Sequence, residues 1–169
     1  MNTTILTFKD APQVRRDNAE ALANQYNGEV YIGGNNCVDN LVHILQNKKE
    51  TLFIEDDAIL PNDISGFEEY IDMFPNTLIN FYYPELRVPQ LLRGSQYKHN
   101  VCIYIPKNAG ALLRFNAEDF KQRYSVYNNR NRYAAFINVI LNNHDMRFVA
   151  LPPSITGVSY HKDWESTIG

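Results

Sequence analysis

Three consecutive acids, Glu55, Asp56 and Asp57, close the run Thr51-Leu52-Phe53-Ile54 and precede Ala58-Ile59-Leu60-Pro61. The unbroken apolar stretch 52–54 predicts a buried strand, because its apolar residues do not alternate with polar ones. Carboxylates gathered at the end of such a strand repel one another and resist dehydration. A bound divalent cation keeps them ionised together. Ligands of open α/β sheets also collect at the carboxyl ends of strands. The triplet therefore points to a metal site serving a phosphate-bearing substrate. The plainer alternative is that the acids open a solvated loop.

Alternating strands and helices are what would position such a site. Residues 5–8 read as a first strand. Residues 11–26 read as a helix with Val14, Ala21 and Leu22 on one side, ended by Asn27-Gly28. A second strand, 29–32, runs into Gly33-Gly34-Asn35-Asn36. Val38, Leu41, Val42 and Leu45 recur at helical spacing over 37–47. After the acids, a helix spans 64–73 with Phe67, Tyr70 and Ile71 inward, then a strand covers 77–83. The weakly patterned stretch 84–100 reads as a substrate loop. A strand at 101–105 enters a helix from Lys107 to Phe115, in which Ala109-Gly110-Ala111 permits close packing. An amphipathic helix over 133–143 and a strand over 148–151 complete the core, and the polar tail from Ser154 folds back over the sheet. This order predicts an α/β domain with a partly parallel sheet.

With 169 residues, the chain fits one domain spanning 1–169 with a substantial core. Hydrophobic content of 44% and charged content of 21% match a soluble globular protein. A net charge of −3 gives no electrostatic case for a nucleic-acid partner. The start of the chain is too short and too alternating for a signal peptide, and no apolar run reaches the roughly 20 residues of a membrane span. Cys37 and Cys102 sit in apolar contexts and read as reduced core thiols, so a cytoplasmic protein is expected.

Four segments, in order, resemble the glycosyltransferase family of lipooligosaccharide galactosyltransferases and collagen galactosyltransferases. They are Phe53-Ile54-Glu55-Asp56-Asp57-Ala58, the stretch from Tyr104 to Leu113 with its Gly-Ala step and Leu pair, Met146 through Pro152-Pro153, and Ser166-Thr167-Ile168. The resemblance runs from about Leu41 to the C-terminus. It implies an α/β fold of the GT-A nucleotide-sugar transferase type, with a mixed, mostly parallel central sheet flanked by helices. It also implies Mn²⁺ (or Mg²⁺), a nucleotide-sugar donor such as a UDP-sugar, and a glycan or other hydroxyl-bearing acceptor.

Carried over residue by residue, Asp57 would be the direct metal ligand. Asp56 would assist it, and Glu55 would face the ribose or a metal-bound water. In GT-A enzymes a C-terminal His often completes the metal shell, and here His161 would stand in that place, unless it is a surface His of the tail; a neutral imidazole suits Mn²⁺. The turn from Phe8 to Arg15 would meet the nucleotide, with Phe8, Lys9, Asp10 and Arg15 as candidate contacts. Gly33-Gly34 would let backbone approach it, unless it is a turn alone. His43, His99 and His144 show no partner in the sequence.

The resemblance departs at one point that matters. An inverting transferase needs a base for the acceptor hydroxyl. The family places an Asp at the start of the helix that here reads Tyr133-Ala134-Ala135, where this chain has alanines. Glu118, Asp119, Asp145 and Asp163 remain candidates. The leading expectation is an inverting, metal-dependent glycosyltransferase. The alternatives are a metal-dependent nucleotidyl- or phosphotransferase and a non-catalytic nucleotide-binding protein of the same fold.

Overall fold

A computed structural model of the chain describes residues 1–127 and 132–164. Its strands are β1 (Asn2–Phe8), β2 (Glu29–Gly33), β3 (Thr51–Glu55), β4 (Ala58–Ile59), β5 (Ile79–Asn80), β6 (Gln90–Arg93), β7 (Cys102–Ile105), β8 (Arg147–Ala150) and β9 (Ser159–Tyr160). The helices are α1 (Gln13–Gln25), α2 (Cys37–Ile44), α3 (Ser65–Met73), α4 (Lys107–Arg123), α5 (Tyr133–Asn143) and α6 (Pro153–Thr156). Seven strands form one sheet in the order β2-β1-β3-β7-β5-β8-β6, while β4 and β9 pair separately. Five of the seven run in one direction; β7 and β6 oppose them. This is the mixed, mostly parallel α/β sheet expected from the sequence.

Strand alternation splits the core into two layers. Leu6 and Phe8 of β1, Phe53 of β3, Ile103 and Ile105 of β7, and Phe148 of β8 face the layer covered by α2, α4 and α5. Ile5, Leu52, Ile54, Cys102, Tyr104 and Val149 face the layer covered by α1 and α3. Both faces being buried is why β3 and β7 read as continuous apolar runs. Both cysteines are buried thiols outside any disulfide. No helix among the described residues is long and apolar enough to cross a membrane.

Several boundaries and faces differ from expectation. In α1, Val14 is exposed (46%) and Arg15 is buried (7%), so the inward face is Arg15, Ala19, Leu22 and Ala23. The expected strand over 77–83 shrinks to Ile79–Asn80, because the following residues turn toward the site. The stretch 84–100 contains an edge strand, β6, that buries only Leu92. The tail does fold back: Gly157 adopts φ 71°, and β9 pairs antiparallel with β4 directly after the acid triplet. Glycine fits that left-handed turn without the cost a side chain would add.

Candidate functional site

The carboxyl ends of β1, β2, β3, β5 and β8 and the start of β7 share one edge of the sheet. The acid triplet leaves β3 there. Alternation sends its members to different places. Asp56 continues the Ile54 face and points to α1, where Arg15 meets it. Glu55 continues the Phe53 face, toward Tyr97 and Tyr133, whose hydroxyls its charge helps keep protonated after burial itself.

Asp56 is almost fully buried (1%) and bound on both oxygens. Thr7 Oγ1 donates to Oδ2 at 2.6 Å, and Arg15 Nε donates to Oδ1 at 2.7 Å. Arg15 Nη2 also reaches Oδ1 and lies 3.5 Å from Asp57 Oδ2. Asn18 Nδ2 donates to the carbonyls of Asp56 (2.9 Å) and Ala58 (3.0 Å), fixing the turn out of β3. Charge-assisted bonds of this kind are the strong ones.

Asp57 differs from its neighbour. Its Oδ1 is buried yet has no hydrogen-bond partner among the described residues. Burial pushes its carboxyl above the usual carboxylate value; Arg15 opposes that shift and the Asp56 charge adds to it. Glu55 accepts no hydrogen bond from a described residue, and burial, then the Asp57 charge, push it up to about 8. The orphaned Asp57 oxygen asks for an explanation, and a bound ion is a standard one.

Glu55 and Asp57 line a cleft of about 350 Å³ with Tyr82, His99, Asn100 and Tyr160. The Asn100 amide, turned so that all its groups are satisfied, accepts from the Ala134 N–H at 3.0 Å and donates to Tyr97 Oη at 3.1 Å. The start of α5 is thus engaged by Asn100, in the place where the sequence holds alanines.

His161 comes to the same spot through the backbone. Its N–H donates to the Asp57 carbonyl at 2.9 Å, and its ring stacks on Trp164 with centroids 3.6 Å apart. It is near enough for a protonated ring to favour ionised Asp57. Among the described residues, no three His, Cys, Asp or Glu side chains converge as a ready metal cage. A divalent cation would therefore be held by Asp57 and Glu55, with substrate oxygens completing its shell. Mn²⁺- and Mg²⁺-type sites commonly use one or two carboxylates plus substrate phosphates.

The remaining candidates scatter. Phe8 is packed in the core, and Lys9 and Asp10 are exposed on the turn beyond it. Gly33-Gly34 is pinned by Asn40, which accepts from the Gly34 N–H (2.8 Å) and donates to its carbonyl (3.0 Å) and to Tyr133 Oη (2.9 Å). A Cβ at Gly33 would sit 2.8 Å from Phe8 Cε1, so the residue serves packing. Glu118 pairs with Lys121, and Asp119 with Arg123, on the outer face of α4. Asp145 precedes β8 and so lies at the opposite edge of the sheet. Asp163 is exposed in the tail. Ser166-Thr167-Ile168 lies outside the described residues.

Two groups that shape the cleft carried no signal in the sequence. Asn80, fully buried, donates to the carbonyls of Lys98 (2.8 Å) and His99 (3.1 Å) and accepts from the Tyr82 N–H (2.9 Å). His99, expected to lack a partner, has Glu85 beside its ring.

No protein-family model matches the chain, and no curated protein matches it. The resemblance to the lipooligosaccharide and collagen galactosyltransferases thus has no family-level match behind it. Among solved structures, the chain is similar to a glycosyltransferase involved in the glycosylation of the major capsid of PBCV-1. The TM-score is 0.55 at 11% identity, over 90% of this chain and 83% of that one. The fold of this chain is therefore one that a glycosyltransferase uses.

Proposed function

We propose that this chain is a metal-dependent glycosyltransferase that moves a hexosyl group from a nucleotide sugar, of the UDP-sugar class, to a hydroxyl-bearing acceptor with inversion. The observation that carries this reading is the orphaned Asp57 oxygen beside Glu55, in a cleft at the carboxyl edge of a sheet with a glycosyltransferase fold. The resemblance of the acid motif to the lipooligosaccharide and collagen galactosyltransferases supports the donor class.

Asp57 and Glu55 would hold Mn²⁺ or Mg²⁺, which supplies charge neutralisation at the departing diphosphate. Arg15, itself held by Asp56, keeps positive charge beside Asp57 and fixes its position. Tyr82 and Tyr160 offer ring surfaces to a sugar, with centroids 5.7 Å apart and planes at 90°. Buried cysteine thiols outside any disulfide fit a reducing compartment, and we place the enzyme in the cytoplasm. One observation favours a second reading, a non-catalytic nucleotide binder: Ala134 and Ala135 stand where the resembled family carries an acid.

A thermal-shift panel tests the ligand class. UDP with Mn²⁺ should stabilise the fold more than either alone, by about 2.7 kcal/mol at a hundredfold excess over the dissociation constant. Release of UDP from a UDP-hexose separates the enzyme from the binder. No shift with any nucleotide in the presence of Mn²⁺ contradicts the reading.

A further inference from the structure

We propose that His99 is the general base that accepts the proton of the acceptor hydroxyl, and that Glu85 is the positioning residue that orients its ring. This rests on the transferase reading above and fills the role its alanines leave open.

His99 lies on the same cleft as Glu55 and Asp57. Its Nε2 stands 2.9 and 3.1 Å from the two Glu85 carboxylate oxygens. An ionised carboxylate only accepts. In the neutral ring, Nε2 therefore carries the proton and donates it to Glu85. The lone pair is left on Nδ1, which has no partner among the described residues. A carboxylate on one ring nitrogen is how imidazole bases are commonly oriented.

The surroundings hold this arrangement. Burial opposes ionisation of Glu85, but Lys98, 2.8 Å away, and His99 keep its carboxyl low, at about 2. Tyr82 and Tyr83 present edges to the imidazole at 84° and 86°, each with centroids 5.7 Å away. Asn80 ties down the carbonyls of residues 98 and 99. His99 itself adopts φ 63°, a costly conformation away from glycine that persists only where surroundings enforce it. Across the cleft, Glu55 and Asp57 are assigned to the cation, so neither is free to take a proton.

The step balances as follows. The acceptor oxygen bonds to the anomeric carbon while its proton passes to Nδ1. The bond from that carbon to the diphosphate oxygen breaks, and its electron pair leaves with the nucleoside diphosphate. His99 ends as an imidazolium facing the Glu85 carboxylate.

The test uses UDP-glucose and UDP-galactose with Mn²⁺, reading UDP release to water or to an alkyl glycoside. His99→Gln should lower turnover by roughly 10²–10⁴-fold, with Mn²⁺–UDP affinity unchanged by calorimetry. Glu85→Gln should lower kcat less and leave KM nearly constant. Unaltered turnover in His99→Gln overturns the proposal. Nitrogen NMR of the unmutated protein needs no variant: the neutral His99 ring should be protonated on Nε2, and a proton on Nδ1 overturns the proposal too. Wild type that neither binds Mn²⁺–UDP nor releases UDP contradicts the transferase reading itself and removes the base role with it.

Discussion

Asp56 and Asp57 are neighbours in sequence, yet β3 delivers them to two unlike regions. On the α1 side, Asp56 is sealed and fully bonded by Thr7 and Arg15. On the cleft side, Asp57 keeps a buried oxygen without a partner among the described residues, and burial and the Asp57 charge raise the Glu55 carboxyl. The protein itself satisfies the first region; in the function proposed above, a bound ligand completes the second. Adjacent acids can thus do opposite work, and only the partners around each carboxylate separate a structural ion pair from a binding site.

The largest expected effect lies in the sealed region. Arg15→Met leaves Asp56 buried without its counter-charge, and Asp56→Asn takes from Arg15 its nearest carboxylate, with Asp57 3.5 Å away. Either should destabilise the fold by about 3–5 kcal/mol, the usual cost of breaking a buried pair from one side, measured by urea denaturation. A double variant, Arg15→Met with Asp56→Leu, should recover much of that loss. Near-neutral single variants would erase the contrast between the two regions.

The next effect is the pH dependence of the cleft. The Glu55 carboxyl is raised in the folded protein to about 8, against about 4.3 in an unfolded chain. The folded state therefore holds the proton more tightly. Its contribution to stability is complete below about 4.3 and is lost as pH rises through about 8. Urea midpoints of metal-free protein should fall across that window, and Glu55→Gln should flatten the slope. An unchanged slope in Glu55→Gln would show that Glu55 is already satisfied.

The smallest effect belongs to His161. It touches Asp57 through the main chain and sits on a tail segment with few apolar residues. His161→Ala should weaken Mn²⁺–UDP binding by roughly tenfold and leave the urea midpoint where it was. Equal affinity would place His161 outside the site and leave Glu55 and Asp57 as the protein's share of it.

Much of the sheet was legible because buried strands such as β3 and β7 carry unbroken apolar runs, and α5 carries a clear helical period. The two-residue strands β4 and β9 are too short to show any period. Edge strand β6 buries only Leu92, so its pattern looks like a loop. Arg15 reads the same in sequence whether it greets a phosphate or a buried carboxylate, and the rotation of α1 that buries it was hidden by Val14. The position of the acid triplet at a strand end was readable; its division into bound and orphaned carboxylates was not, since Thr7, Arg15 and Asn18 come from elsewhere in the chain. Glu85 and His99 are 14 residues apart, and the Asn80 staple on residues 98 and 99, with the Tyr83 hydroxyl bonded to the Gln96 carbonyl, holds their loop at the cleft.

Calorimetric titration of UDP with Mn²⁺ into wild type and Asp57→Asn tests the division between the two regions most directly. We expect metal-dependent UDP binding in wild type and its loss in Asp57→Asn, with the metal-free variant at least as stable as wild type because a repelling, desolvated charge has been removed. Equal binding by the two proteins, or an Asp57→Asn chain that fails to fold, would contradict the assignment of Asp57 to a ligand rather than to the fold.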